Sequence, residues 1–200
     1  TTASSVRSKA APFTLDDVEP LQAKVFHLGS LLADDFSPEV VEALADKGTV
    51  SIDAQGYLRE VVGEEVRPVE WKDMSRVLRA TGILKLNESE MQTVVGSNDP
   101  YEVGKKLAAC GVDEVVMTLG SYGSVIYAGG KAYDIPAYKP KKLVDATGCG
   151  DTFSTGYLWC RVQGMGIEEA GKFAAAMCSL KLQHSGPFDG TIADIEQLIG

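Results

Sequence analysis

Short apolar runs alternate with amphipathic stretches along most of the chain, from residue 24 onward. This alternation is typical of consecutive βα units, in which a buried strand is followed by a helix that packs on the sheet. The runs at residues 24–28, 49–53, 83–86 and 114–119 have the length and apolar character of such strands. We therefore predict an α/β fold with a mostly parallel, Rossmann-like sheet that is covered by helices on both faces.

Helix signals fill the gaps between these strands. Ser37 is a good N-cap, Pro38 suits the first helical position, and the helix they open should end at Gly48. Further helices are predicted at about residues 70–80, 87–95, 101–110, 149–162 and 167–182, whereas residues 55–57 are assigned to a loop. Residues 124–127 and 131–135 flank a Gly-Gly turn, which predicts an antiparallel hairpin at one edge of the sheet.

Length and charge limit the classes of function. With 200 residues, the chain is long enough for one α/β domain with a substantial core. The formal net charge of -9 disfavours a nucleic-acid partner, and the one dense basic stretch, Lys139, Lys141 and Lys142, is more typical of a solvated loop than of a phosphate contact. No apolar run reaches the roughly 18 residues of a membrane span, so no membrane partner is expected.

The four cysteines are spread without a CxxC pair, which disfavours a zinc site and a disulfide framework. The first residues, Thr-Thr-Ala-Ser-Ser, contain no apolar core of a secretory signal. A cytoplasmic location is the expectation.

The strongest chemical signal is Val-Asp-Ala-Thr-Gly-Cys-Gly-Asp-Thr-Phe at residues 144–153. We expect a strand to end at its start, two glycines to bracket a turn, and a helix to follow. Backbone N–H groups at such a helix start bind anions, so Gly148, Cys149 and Gly150 are candidates for a phosphate site. Asp151 can take the proton of an attacking hydroxyl group, or it can simply stabilise the helix N-terminus; spacing alone does not separate these readings.

Residues 145–151, Asp-Ala-Thr-Gly-Cys-Gly-Asp, resemble the signature of the ribokinase-like (PfkB) carbohydrate kinases. The resemblance implies that Gly148, Cys149 and Gly150 form the anion hole and that Asp151 is the catalytic base. It also implies that Asp145 and Thr147 lie near a monovalent cation such as K⁺. An Asx-type turn that only orders the chain would explain Asp145 equally well.

Residues 85–90, Lys-Leu-Asn-Glu-Ser-Glu, are similar to the family's Asn-x-x-Glu element. The resemblance implies that Asn87 and Glu90 lie near the triphosphate and organise Mg²⁺, mainly through water, which suits an amide and a carboxylate oxygen. As isolated residues they would more often be a helix cap and a solvated side chain.

Residues 116–123 resemble the family's strand-to-hairpin turn beside the nucleotide. By that resemblance Thr118, Gly120, Ser121 and Gly123 are candidates for nucleotide binding, although such turns also occur merely to link strands. His184 falls where family members close over the adenine, but a histidine in a loop is more often structural.

The resemblance implies a kinase that transfers the γ-phosphoryl group of ATP to a hydroxyl group of a small sugar or polyol, with ATP, Mg²⁺ and K⁺ as cofactors. It begins in the middle of the family pattern, at about Phe13. We therefore expect one ribokinase-like domain over residues 1–200 that lacks the N-terminal strands, the lid and most sugar-binding residues. A homodimer through that lid region is a further expectation.

Two alternatives remain open at this point. Thr147-Gly148-Cys149 is also similar to hydroxymethylpyrimidine kinases, which are vitamin kinases of the same superfold, whereas Gly150-Asp151 favours the sugar branch. The chain could instead be a nucleotide-binding module without turnover. A P-loop enzyme is disfavoured because no GxxxxGK[ST] motif is present.

Overall fold

A computed structural model describes residue 6 and residues 8–200. The described residues form these strands: β1 (Val25–Leu28), β2 (Thr49–Asp53), β3 (Arg59–Val62), β4 (Glu65–Pro68), β5 (Ile83–Asn87), β6 (Glu114–Thr118), β7 (Ser124–Ala128) and β8 (Lys131–Ile135). Six of them make one sheet in the order β1-β2-β5-β6-β7-β8. β1, β2, β5 and β6 run parallel to one another. At one edge of the sheet, β7 is antiparallel to both of its neighbours, β6 and β8. The predicted fold class, including the edge hairpin, is confirmed.

The helices of the described residues are α1 (Leu15–Val18), α2 (Pro38–Ala45), α3 (Ala54–Tyr57), α4 (Met74–Arg79), α5 (Glu88–Val95), α6 (Pro100–Ala109), α7 (Cys149–Val162), α8 (Ile167–Lys181) and α9 (Ile192–Ile199). As predicted, the Ser37 side chain caps α2 by accepting the N–H of Val40. None of these helices has the length and apolar character that a bilayer crossing requires.

The two faces of the sheet are buried against different helices. Alternate strand residues such as Ile52 and Leu84 pack with α2, α4, α5 and α6 in one apolar cluster. The residues between them, such as Ile83 and Val116, pack with α7, α8 and α9 in a second cluster. This alternation follows from the two-residue period of a strand, and it puts α7 and α8 on one face together.

Helix α7 is fixed at both of its sides. Arg161 forms a salt bridge of 2.6 Å with Glu114 of β6, and Glu114 also accepts a hydrogen bond from the Tyr157 hydroxyl group at 2.5 Å. Toward α8, a Cβ atom on Gly156 would lie only 3.0 Å from the Met177 sulphur, so glycine allows the close approach of the two helices. The middle and the end of α7 are therefore held against the sheet and against α8.

Several predicted local details are wrong. Residues 54–57 form the short helix α3 instead of a loop, and the next residues form a two-stranded antiparallel ribbon, β3–β4, that no prediction contained. The strand predicted directly before Asp145 is not formed, and residues 143–145 are an irregular segment. In this segment the N–H groups of Val144 and Asp145 donate to the carbonyl oxygen of Leu182. Helices α1 and α9 were not predicted either.

Candidate active site

The glycine turn, defined here as residues 145–151, leads directly into α7 at the edge of the sheet. Gly148 is the N-cap residue, with φ of 76° in the left-handed region that favours glycine. Cys149, Gly150 and Asp151 are the first three helical residues, and no side chain caps the helix. Such an uncapped start leaves backbone donors to be satisfied by something else.

Four N–H groups of this turn have no acceptor among the residues that the structure describes: that of Ala146 before the helix, and those of Gly148, Gly150 and Asp151 at its start. The Cys149 N–H group, in contrast, donates to the carbonyl oxygen of Ala146 at 3.2 Å. Of the predicted anion-hole residues, Gly148 and Gly150 thus have free amides, whereas the Cys149 amide is already in use. Adjacent free amides at the positive end of a helix dipole favour an anion.

Asp151 is exposed beside these amides. One of its carboxylate oxygens lies 4.0 Å from the position that a Cβ atom on Gly148 would take, so the carboxylate lies close to the turn. In the described part of the chain its side chain forms no salt bridge and no hydrogen bond. The Asp151 carboxylate is therefore open to contact with a ligand at the turn.

A buried salt bridge lies directly beneath the turn, and the sequence analysis did not predict it. Lys85 of β5 and Asp53 at the end of β2 are register partners, and their side chains pair at 2.5 Å with exposures of only 8% and 11%. The Lys85 ammonium nitrogen is 3.2 Å from where a Cβ atom on Gly150 would be. Glycine at position 150 therefore lets a positive charge approach the turn.

Asn87 and Glu90 lie at the start of α5, where they form a capping box. The Glu90 N–H group donates to Asn87 Oδ1 at 3.0 Å, and the Asn87 N–H group donates to Glu90 Oε2 at 2.9 Å. Asn87 Nδ2 also donates to Glu90 Oε1 at 2.6 Å. Burial raises the pKa of the Glu90 carboxyl group. The helix-cap interpretation of Asn87 is thus present in the structure, and Glu90 is buried instead of solvated.

The predicted nucleotide residues follow β6. Thr118 is the register partner of Asn87, and its hydroxyl group donates to the Leu86 carbonyl oxygen at 3.4 Å. Gly120 and Ser121 lie in an exposed 3₁₀ turn with Gly120 at φ of 55°. Gly123 has a packing role, since a Cβ atom there would lie 2.1 Å from the Ile135 carbonyl oxygen.

Asp145 opens the glycine turn and is held from two directions. Its Oδ1 accepts the Thr147 N–H group at 2.9 Å, which is the Asx-type turn considered from the sequence. Its main-chain oxygen accepts a hydrogen bond from the buried Lys181 ammonium group at 3.0 Å. The bonds from Thr147, and secondarily the Lys181 charge, lower the pKa of Asp145, so this carboxylate stays ionised.

The remaining candidates lie around this turn. His184 is exposed two residues beyond Leu182, whose carbonyl oxygen anchors Val144 and Asp145. Cys178 donates to the Cys149 carbonyl oxygen at 3.2 Å, and burial raises the pKa of Cys178 to about 12, so its thiol is protonated. Lys139, Lys141 and Lys142 are all exposed in the segment before the turn.

A directly bound metal has little support in the geometry. Across residue 6 and residues 8–200, no three His, Cys, Asp or Glu side chains gather into a metal-binding cluster. Both Glu90 oxygens and the Asn87 oxygen already accept N–H donors. Asn87 Oδ1 also accepts the Ser89 hydroxyl group at 2.8 Å, so the remaining lone pairs are those of the Glu90 carboxylate. They suit a hydrated cation held through water, which is the way Mg²⁺ is commonly bound.

The carboxyl ends of neighbouring strands bring these groups together. Asp53 faces Lys85 across the β2–β5 pair, and Asn87 faces Thr118 across the β5–β6 pair. Free amides, a buried ammonium group and an exposed carboxylate at one edge can bind a phosphoryl group and accept a proton beside it. The sequence signal for Lys85 was its place two residues before Asn87 at the end of a buried strand.

The chain is also similar to several kinases in sequence and in fold. The chain is 30% identical over 124 residues to a nucleoside kinase of Methanocaldococcus jannaschii, covering 62% of this chain and 40% of that protein. Its fold is similar to that of a pyrophosphate-dependent kinase in the ribokinase family, solved with a pyrophosphate analog and myo-inositol. The TM-score is 0.86 and the sequence identity is 29%, and the match covers 98% of this chain and 70% of the other.

It also matches Arabidopsis thaliana ribokinase complexed with ribose and ATP, with a TM-score of 0.73 and 25% identity over 94% of this chain and 60% of the other. The chain thus spans less than half the length of the nucleoside kinase and part of each solved structure. The profile of the pfkB family carbohydrate kinases matches residues 1–193, and the chain therefore belongs to that family.

Proposed function

We propose that this protein transfers the γ-phosphoryl group of ATP to a hydroxyl group of a sugar or polyol. The observation that carries the proposal is the uncapped start of α7, where the N–H groups of Gly148, Gly150 and Asp151 lack acceptors. A phosphoryl group that accepts those hydrogen bonds would lie beside the exposed Asp151 carboxylate.

The proposed reaction has a simple balance. The acceptor oxygen forms a bond to the γ-phosphorus while the bond from that phosphorus to the β-phosphate oxygen breaks. Asp151 takes the proton of the acceptor hydroxyl group, which makes it the general base. The amides of Gly148 and Gly150 would stabilise the charge on the transferring group, because backbone donors fixed at a helix start need little reorganisation during the reaction.

Lys85 adds a positive charge to the same place. Its ammonium group is buried beneath Gly150 and is held by Asp53, so it does not have to be ordered when the donor binds. A fixed charge in a site of low dielectric interacts strongly with phosphate oxygens. We therefore include Lys85 among the residues that bind the transferring group.

Mg²⁺ would be held through water near Asn87 and Glu90, where it would neutralise charge on the donor phosphates. Thr118, the register partner of Asn87, and Gly120 to Gly123 lie on the adjoining strand end and would face the rest of the donor. His184 would lie on the other side, next to the segment that enters the turn.

The proposal is tested by incubating the protein with ATP, Mg²⁺ and a panel of acceptors that includes myo-inositol, ribose, fructose and a nucleoside. Mass spectrometry or ³¹P NMR then identifies a phosphorylated acceptor. We expect a phosphate monoester of at least one sugar or polyol. Calorimetric binding of ATP without any phosphorylated product would instead support a nucleotide-binding module.

Inorganic pyrophosphate is a second candidate donor. The solved structure with the TM-score of 0.86 is a pyrophosphate-dependent kinase, while the ATP-complexed ribokinase gives 0.73. In addition, the groups best placed in this site, the amides and Lys85, recognise phosphate and not adenine. Replacing ATP by pyrophosphate in the same panel separates the two donors, because only a pyrophosphate-dependent enzyme would then form product and release orthophosphate.

A further inference from the structure

Lys181, the last residue of α8, has an ammonium group that lies against the opening residue of the glycine turn. The nitrogen donates to the main-chain oxygen of Asp145 at 3.0 Å and lies 3.5 Å from Asp145 Oδ2. The Lys181 side chain is only 1% exposed, whereas lysines are rarely fully buried. A buried charge of this kind needs specific partners, and here both come from Asp145.

The surroundings of Lys181 suit a fixed cation. It lies in the last turn of a helix, where the helix dipole favours positive charge. The next residue, Leu182, accepts the N–H groups of Val144 and Asp145 at 2.8 and 3.3 Å. The end of α8 therefore holds the first residue of the glycine turn in two ways, through the Lys181 side chain and through the Leu182 backbone.

Asp145 is one of the two residues, with Thr147, that the sequence resemblance placed near a monovalent cation. Asp145 Oδ1 is used by the Thr147 N–H group, and the other two Asp145 oxygens face the Lys181 nitrogen. A K⁺ ion on these oxygens would lie within a few ångströms of the buried Lys181 ammonium group, and the two like charges would repel each other. The residues present do not fit K⁺.

We propose that Lys181 acts as a built-in cation which holds Asp145 and the glycine turn, so that the protein needs no K⁺. Lys181 is a positioning residue, since it acts through Asp145 and not on the reacting atoms. Its effect on turnover rests on the proposed function, but its effect on cation binding does not. Each can be measured by itself.

The first arm of the test uses the unaltered protein. Turnover and thermal unfolding are measured in KCl, NaCl and choline chloride at equal ionic strength. We expect turnover to agree within about twofold in the three salts and the unfolding temperature to be the same in KCl and choline chloride. Activation of several-fold by KCl alone, or a stabilisation specific to KCl, would overturn the proposal.

The second arm uses two variants. Lys181→Met keeps most of the length of the side chain but removes the charge, and Lys181→Gln keeps a hydrogen-bond donor. In choline chloride we expect turnover to fall at least tenfold, and KCl or NH₄Cl to restore part of it. Independently of turnover, KCl should raise the unfolding temperature of these variants. A folded variant that shows neither change would refute the role of Lys181.

Lys172→Met is the matched control. Lys172 lies on the same helix but is 37% exposed and pairs with Glu168 on the surface. Its loss should create no dependence on K⁺ in either measurement. If the protein transfers no phosphoryl group to any acceptor, the unfolding measurements still decide whether a cation replaces the Lys181 charge, so the two proposals fail separately.

Discussion

Two helices begin at the same edge of the sheet, and they satisfy their first N–H groups in opposite ways. At the start of α5, the Asn87 side chain accepts the Glu90 N–H group, and Glu90 accepts the Asn87 N–H group in return. At the start of α7, the N-cap is Gly148, which has no side chain, and the next free amides find no acceptor in the described chain. One start is closed by the protein, and the other is open to a ligand.

Both helices also carry an acid at the third helical position. Glu90 is 6% exposed and uses both oxygens within its capping box, and burial raises its pKa. Asp151 is exposed and uses neither oxygen on a described partner. An acidic side chain at the same helical position thus has a structural use in one helix and is a free carboxylate in the other, and the N-cap residue decides between them.

The largest expected effect comes from removing the free acid. Asp151→Asn keeps the size of the side chain but loses the base, so we expect turnover to fall by about 10³-fold, or about 4 kcal/mol in the activation barrier. Donor binding, measured by calorimetry, should change little because the free amides remain. If Asp151 only stabilised its helix, the replacement would change the free energy of unfolding by up to about 1 kcal/mol and leave turnover unchanged.

The matched control is Asp194→Asn, which alters the acid at the third position of α9. Asp194 closes a capping box with Thr191, as Glu90 does with Asn87. Its replacement should affect stability only. Wild-type turnover in Asp151→Asn, or an equal loss in Asp194→Asn, would contradict the assignment of Asp151 as the base.

The second prediction concerns the charge beneath the open helix start. Lys85→Met leaves the Asp53 carboxylate buried without its partner, and we expect the free energy of unfolding to fall by about 3 kcal/mol. Adding Asp53→Asn removes the unpaired charge while keeping an acceptor for the Gln55 N–H group. The double variant should therefore regain most of its stability in denaturant unfolding.

Turnover of that double variant separates a structural pair from a functional one. We expect the double variant to stay at least tenfold less active, because the positive charge beside Gly150 is still missing. A double variant that regained both stability and turnover would show that Lys85 and Asp53 serve the fold alone. The difference between the two helix starts would then come from the free amides of α7 alone, with no contribution from the Lys85 ammonium group.

The order of strands and helices could be predicted from the sequence because local patterns determine it. The buried runs at β1, β2, β5 and β6 and the Gly-Gly hairpin were all predicted within a residue or two of their bounds. Their parallel arrangement follows from the helices between them. The exposed acid after Gly148 and Gly150 could be predicted for the same reason, since the glycines mark the uncapped turn.

Contacts between distant residues could not be predicted in this way. Lys85 and Asp53 are 32 positions apart, and only the β2–β5 register makes them partners. Lys181 lies at a helix end where lysine side chains normally reach solvent, so its burial depends on the path of residues 143–145. The ribbon β3–β4 was missed because its residues are mostly exposed, so they lack the apolar alternation of a half-buried strand.

The smallest expected effect is at the closed helix start, and it tests whether Asn87 is more than a cap. Asn87→Ala removes the oxygen that accepts the Glu90 N–H group, so we expect a loss of about 1 kcal/mol in unfolding free energy. Thr191→Ala, which opens the matching box of α9, should cost about as much. If Asn87 also holds hydrated Mg²⁺, then Asn87→Ala alone should raise the Mg²⁺ concentration needed for half-maximal turnover by several-fold. An unchanged Mg²⁺ requirement in both variants would leave Asn87 as a cap and move the metal to another part of the site.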